Sequence, residues 1–184
     1  MKFFTTFAGL MLAATAALAQ QALVPAQSEI AFVSKQMGVP VEGRFKKFDA
    51  QVAFDPAKLA TSKVAFTVDM GSASLSKEAD GELAKPVWFN TPKFPQAKFQ
   101  STAIKALGGG KYEVAGKLDI KGNAQDVVVP VTLTQSGANT VATGAFTIKR
   151  LAFKIGENEW TDTSMVADDV QVKLKLALTG VPKL

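Results

Sequence analysis

Val170-Gln171-Val172-Lys173-Leu174-Lys175-Leu176-Ala177-Leu178-Thr179 places an apolar side chain at every even position and, Ala177 apart, a polar one at every odd position. A helix would spread these residues around its circumference, whereas a strand with one dry and one wet face accounts for them directly. The same period recurs upstream. Ile30 and Phe32 open a first strand, Ala50, Val52 and Phe54 form a face that ends at Asp55-Pro56, and Val64, Phe66, Val68 and Met70 form the next. Further strands follow around Phe99 and Ser101, over Tyr112–Ile120, over Val127–Leu133 and, less cleanly, over Val141–Ile148. Turn residues at Gly108-Gly109-Gly110, Gly122-Asn123, Ser136–Asn139 and Gly156–Asn158 punctuate them at short intervals.

This spacing predicts about eight antiparallel strands in one all-β domain, a barrel or a sandwich. Gly43 and Gly144, inside strand-like runs, suggest bends or bulges, and Pro130 suggests an edge position or a bulge. One segment departs from the pattern. Ser76 is placed to cap a short helix over Lys77–Lys85, with Leu75, Ala79 and Leu83 aligned, and Pro86 ends it. An aromatic, proline-rich loop from Val87 to Pro95 follows.

At the N-terminus, Lys2, the apolar run Phe3–Leu18 and the small-x-small sequence Ala17-Leu18-Ala19 have the pattern of a secretory signal peptide over residues 1–19. The domain then covers residues 20–184, and the expected location is an oxidising, exported one such as the periplasm, the product no longer spanning a membrane after cleavage. The chain has no Cys, so packing and backbone hydrogen bonds must hold it without disulfides. It also has no His, which excludes Ser-His-Asp, Cys-His and zinc-His arrangements within the chain. The formal charge of +5, or +4 once Lys2 is removed, comes from scattered lysines and does not point to nucleic acid.

Three motif-like stretches read as structure. Ser74-Leu75-Ser76-Lys77 matches S-x-x-K but lacks its companion motifs. Gly108-Gly109-Gly110-Lys111 lacks the rest of a phosphate loop and leads into a strand. The acidic pairs Asp168-Asp169 and Glu157/Glu159 lack calcium-loop spacing. No catalytic or metal-binding residue is assigned, and the chain is read as a binding protein rather than an enzyme.

An eight-stranded barrel is wide enough to fill with side chains or to hold one small ligand, and the sequence leaves both open. Ten of the 13 Phe residues remain once Phe3, Phe4 and Phe7 are removed, and many lie near strand ends or beside Trp88. Aromatics at a mouth above walls of Val, Leu and Ile suit an elongated apolar cavity. At about 0.8 kcal/mol per buried CH₂, a long tail needs no charged pocket to bind.

Several ordered blocks carry a family resemblance: Ser28-x-Ile30-x-Phe32, Gly43-Arg44-Phe45-x-x-Phe48, Phe54-Asp55-Pro56, Val64-x-Phe66-x-Val68-Asp69, Trp88-Phe89-x-x-x-x-Phe94-Pro95-x-Ala97-x-Phe99-x-Ser101, Gly116-x-Leu118-x-Ile120-Lys121-Gly122 and Ile148-Lys149-Arg150-x-x-Phe153. In these the chain resembles the YceI-like family of bacterial periplasmic, lipocalin-like proteins. The resemblance implies an eight-stranded antiparallel barrel with a helix near the middle of the chain and a tunnel for polyprenyl or quinone-type lipids or other long amphiphiles. Relatives often form homodimers, and the segment Lys35–Gly43 resembles a branch linked with membrane cytochrome b partners. On this reading the lipid tail lies against Phe32, Phe66, Val68, Phe99, Leu118 and Val172. Trp88, Phe89 and Phe94 form the mouth, and Arg44, Lys35 or Arg150 meets a polar headgroup. Scavenging of hydrophobic toxins or antibiotics is the alternative use of the same cavity.

Overall fold

Alternation along the strands curls the chain into one antiparallel sheet. The computed structural model describes residues 21–184, so the signal-peptide reading of residues 1–19 lies outside the described residues. The strands are β1 (Ala22–Leu23), β2 (Glu29–Gln36), β3 (Val39–Phe45), β4 (Phe48–Ala53), β5 (Lys63–Asp69), β6 (Ala73–Ser74), β7 (Gln96–Gly108), β8 (Lys111–Ile120), β9 (Asn123–Ser136), β10 (Asn139–Lys149) and β11 (Asp169–Thr179), with helix α1 (Lys77–Leu83) between β6 and β7. The order across the sheet is β4-β5-β7-β8-β9-β10-β11-β2-β3-β6, with β1 paired to β11.

The barrel closes without a continuous ladder between β3 and β4. At one end β6 pairs Ser74 with Arg44 of β3, and Ser72 ties in the β3–β4 corner by accepting from the Lys47 amide at 3.0 Å. At the other end β1 runs along β11. There the Gln21 side chain accepts from the Phe54 amide at 2.9 Å and donates to the Phe54 carbonyl at 2.6 Å, acting as one rung towards β4. These bonds satisfy backbone groups that would otherwise be open edges.

Among the described residues the strand count is therefore eleven rather than eight. Two of the extra strands have only two residues each, too short to show a period. The third, β3, is hidden in the sequence because Pro40 and Gly43 interrupt it. Its register with β2 is unbroken from Ile30↔Phe45 to Gln36↔Val39, around a turn at Met37 and Gly38, where both φ angles are positive. Gly43 is thus not a bulge. A Cβ there would collide with the Phe32 ring, which lies across the glycine. The bulges fall in β7 instead, between Ser101 and Ala103 and between Ala106 and Gly108.

Pro130 sits one residue beyond the end of the β9–β10 ladder, which runs from Asn139↔Ser136 to Gly144↔Val131. It faces no partner strand on that side, so its missing N–H breaks no bond. Gly144 marks the same divergence, since a Cβ there would lie 2.6 Å from the Pro130 carbonyl oxygen. Below the split, the 3₁₀ turn Arg150–Phe153 covers the opening, and Gln125 and Asn123 donate to the carbonyls of Ala152 and Phe153 at 3.2 and 3.3 Å.

Helix α1 is capped as the sequence predicts, with Ser76 Oγ accepting from the Ala79 amide at 3.2 Å. It ends at Leu83, two residues before the predicted Lys85. Gly109 and Gly110, both with positive φ, form the β7–β8 hairpin turn and not a phosphate loop. Among the described residues no helix is long and apolar enough to cross a membrane.

Candidate functional site: an apolar cavity under a loop-covered mouth

The inward faces do not meet everywhere. At the end where β2 and β10 finish and β11 starts, they surround a cavity of about 470 Å³. Its walls come from alternate residues: Phe32 and Ser34 on β2, Val68 on β5, Ala97 on β7, Leu118 and Ile120 on β8, Phe146 and Ile148 on β10, Val170 and Val172 on β11. Leu75, Ala79 and Leu83, the aligned face of α1 and its approach, lie over one side of the mouth. Trp88 and Trp160 lie over another, ring centroids 5.3 Å apart. Met37 and Met165 form an exposed apolar rim, 77% and 44% accessible.

Arg150 builds this mouth. Its side chain is 1% exposed, and all five of its N–H donors go to backbone carbonyls. Nε donates to Ala167 at 3.0 Å, Nη1 to Ile155 at 2.8 Å and Gly156 at 3.2 Å, and Nη2 to Trp160 at 2.6 Å and Val166 at 2.7 Å. Burial lowers its pKa and the Asp168 charge raises it, and a guanidinium stays cationic against such opposed pulls. The carbonyls converge because residues 154–167 fold back on the ring of bonds. Gly156, at φ +79°, lies so close to Nη1 that a side chain would strike it. The loop is pinned at the other side by the Met37 amide donating to Met165 and the Ala167 amide donating to Lys35, at 2.8 and 2.9 Å.

A second polar strut is Lys121. It is 8% exposed, and its Nζ donates at 2.7 Å both to the Lys154 carbonyl and to the Glu157 carboxylate. That hydrogen bond, with the Lys121 and Lys154 charges, holds the Glu157 carboxyl below the usual carboxylate range. Thus Glu157 is occupied in structure, and Asp169 is likewise paired with Lys149 across the β10–β11 register.

The residues singled out from sequence divide accordingly. Phe32, Val68, Trp88, Phe89, Leu118 and Val172 line the cavity. Phe66 and Phe99 lie deeper, their rings 6.3 Å apart, in a packed layer beneath it. Phe94 is turned away, its ring against Gly122 and under Lys93, because Pro95 begins the return to β7 and puts Ala97, not Phe94, on the inner face. Lys35 and Arg44 are exposed on the outer face, as alternation with Ser34 and Phe45 requires. They cannot meet a ligand inside. Arg150 borders the cavity, but its donors are spent on the loop, leaving none for a headgroup.

What sequence reasoning missed is Ser34, Phe146, Ile148, Trp160 and Met165. The first three follow from alternation with Phe32 and Ala142. Nothing in the irregular segment after Arg150 signals that Trp160 and Met165 return to the mouth. Among the described residues, Ser34 Oγ is the buried side-chain polar atom without a hydrogen-bond partner. It stands in a wall that is otherwise almost entirely hydrocarbon.

Residues 22–178 match the model of the YceI-like domain. The chain belongs to that family. A UPF0312 protein of Shewanella denitrificans is 30% identical over 166 residues, covering 85% of this chain and 83% of the relative. The crystal structure of Burkholderia cenocepacia BcnA is 50% identical in sequence, with a TM-score of 0.82, and covers 84% of this chain and 98% of that one. A polyisoprenoid binding domain from Saccharophagus degradans, implicated in plant cell wall breakdown, shares the fold at 15% identity and a TM-score of 0.71, over 87% of this chain and 98% of its own. The barrel expected from the resemblance is thus the fold of this family member.

Proposed function

We propose that this YceI-like protein is a periplasmic carrier that holds one long apolar lipid of the isoprenoid type, polyprenyl or quinone-like, in the barrel. The observation that carries the reading is the 470 Å³ cavity, walled by strand residues that are nearly all hydrocarbon and open between Met37, Met165 and the tryptophans. Empty apolar space of this size forfeits dispersion contacts and is refilled by an apolar guest. The polyisoprenoid-binding relative of the same fold supports the ligand class. The signal-like residues 1–19 support the compartment. With neither His nor Cys in the chain, the cavity offers a guest solvation and no nucleophile–imidazole chemistry, and binding is the role proposed for it.

Organic extraction of the purified protein followed by mass spectrometry tests this. An apolar isoprenoid compound is expected in the extract, or tight binding of an added prenol or quinone by the delipidated protein. Recovery of nothing, together with no uptake of either lipid, would end the carrier reading. Equal affinities for a quinone and unrelated amphiphiles would turn it into broad scavenging.

Ser34 adds a sharper expectation. Its hydroxyl is buried and has no hydrogen-bond partner, and leaving it unpaired costs the protein about 1–3 kcal/mol. The Ser34→Ala variant should therefore melt higher than the parent protein. A melting temperature at or below that of the parent would show that the hydroxyl is satisfied.

A further inference from the structure

The β2–β3 hairpin ends in bare hydrocarbon. Met37 and Val39 are the two most exposed large apolar side chains among the described residues. Met165 joins them, since its carbonyl accepts from the Met37 amide at 2.8 Å and Gln36 forms a bridge with Val166. The other exposed large apolar residues, Leu107, Val128 and Leu184, lie on β7, on β9 and in the C-terminal tail. The turn itself is unusual. Met37 has φ +47° and Gly38 has φ +81°. A two-residue hairpin turn with both φ angles positive favours Asn-Gly or Asp-Gly, and a long apolar side chain is disfavoured at its first position. Met37 thus carries two costs, a left-handed backbone and exposure to water. At that exposure its side chain gains little packing in return. Clustered apolar exposure of this kind marks an interaction surface.

The surroundings indicate what covers the tip. From Ser34 to Val41 the hairpin has one charged residue, Lys35, and no carboxylate, so nothing on it opposes approach to phospholipid headgroups. Glu159 and Asp162 on the facing loop are exposed, which favours a zwitterionic surface over a strongly anionic one. Three side chains fall far short of the 20–30 residues, or about 800 Å² per partner, that a stable protein interface uses. Exposed Thr161, Thr163 and Ser164 flank Met165 and do not extend the apolar area. A fluid bilayer needs no matching surface, only apolar groups that reach the acyl boundary. Trp88 and Trp160, of a residue type that favours the membrane–water interface, border the mouth on whose rim Met37 and Met165 stand. We propose that the Met37–Val39 tip and Met165 form a membrane-docking rim, which sets the mouth of the barrel against a zwitterionic phospholipid bilayer. Docking is weak and reversible, since even one myristoyl chain binds a bilayer only marginally. The rim lies outside the barrel, and the inference holds whichever guest the cavity takes.

Flotation with phosphatidylcholine vesicles tests this. The protein used starts at Gln20, verified by intact mass, because the described fold begins at Gln21 and an apolar leader would itself bind lipid. It should float with vesicles at millimolar lipid, and equally well in about 0.5 M salt, where exposed charges are screened. Met37→Asn should weaken the partitioning by about tenfold and melt no lower than the parent, because Asn suits the left-handed turn. Val128→Thr removes exposed hydrocarbon from β9 instead and should leave the partitioning unchanged. No flotation of the parent protein would overturn the proposal. Release by salt would also do so, since it would mark adsorption by charge. Equal losses in Met37→Asn and Val128→Thr would show that the rim has no special part. A concentration-dependent dimer in light scattering that Met37→Asn abolishes would assign the rim to a second copy of the chain. Should Met37→Asn fail to fold, flotation of the parent and its salt dependence still decide the matter.

Discussion

Replacing Arg150 with Leu should lower the unfolding free energy by about 3–5 kcal/mol, the usual cost of deleting one side of a buried, fully hydrogen-bonded charged network. The side chain is 1% exposed, and its five bonds end on carbonyls of Ile155, Gly156, Trp160, Val166 and Ala167. Residues 154–168 contain no strand and one short 3₁₀ turn, Asn158–Thr161, so those carbonyls have few other protein partners. Leu supplies the volume and none of the donors, and each orphaned acceptor must find water at the edge of an apolar cavity. The loss should be local before it is global. Amide exchange should rise first over residues 155–168, and the Trp88–Trp160 contact should loosen. Lys should recover little of the deficit, since an ammonium has three donors on one atom and cannot span five carbonyls in a plane. A Leu variant with wild-type urea midpoint and unchanged protection over 155–168 would show that the guanidinium does not hold the loop.

Arg150 also shows where reading the sequence stops. As letters, an arginine at the end of a strand beside an aromatic loop looks the same whether it awaits an anion or organises its own backbone. Only the count of carbonyls around it separates the two, and they belong to an aperiodic segment. Lys35 and Arg44 are different. Their outward direction was legible, because each lies between inward residues, Ser34 and Gln36 or Gly43 and Phe45, and the period of two fixes the face. The same rule placed Phe32, Val68, Leu118 and Val172 on the cavity wall. It could not say that Phe66 and Phe99 would close the space they face. Whether facing side chains touch depends on barrel width and on glycines opposite them, such as Gly116 under the Phe99 ring. The question of a filled or hollow barrel had one answer for each half, packed in the middle and open towards the mouth, which no strand read by itself reveals. The short strands β1 and β6 and the Gln21 rung were invisible for a simpler reason, since two residues and one amide carry no period.

Ala97→Phe is expected to weaken prenyl-lipid binding by about 100- to 1000-fold while making the empty protein more stable. Ala97 is buried on β7 opposite Val68, and its small side chain is part of the cavity wall. The added phenyl ring has six carbons and takes roughly 180 Å³ at a water's share per atom, a large part of the 470 Å³ present. It displaces about six ligand carbons, worth about 0.8 kcal/mol each before ordering costs are subtracted, and the stated range is what survives. Because the ring enters space that is already empty, overpacking does not arise, and cavity filling adds about 0.5–2 kcal/mol to the empty protein. The two readouts must move in opposite directions, which a merely damaged fold cannot imitate. Lys98→Phe, one residue on and exposed outside the barrel, should leave the affinity unchanged. Undiminished binding in a folded Ala97→Phe protein would mean that the lipid sits somewhere other than between these walls.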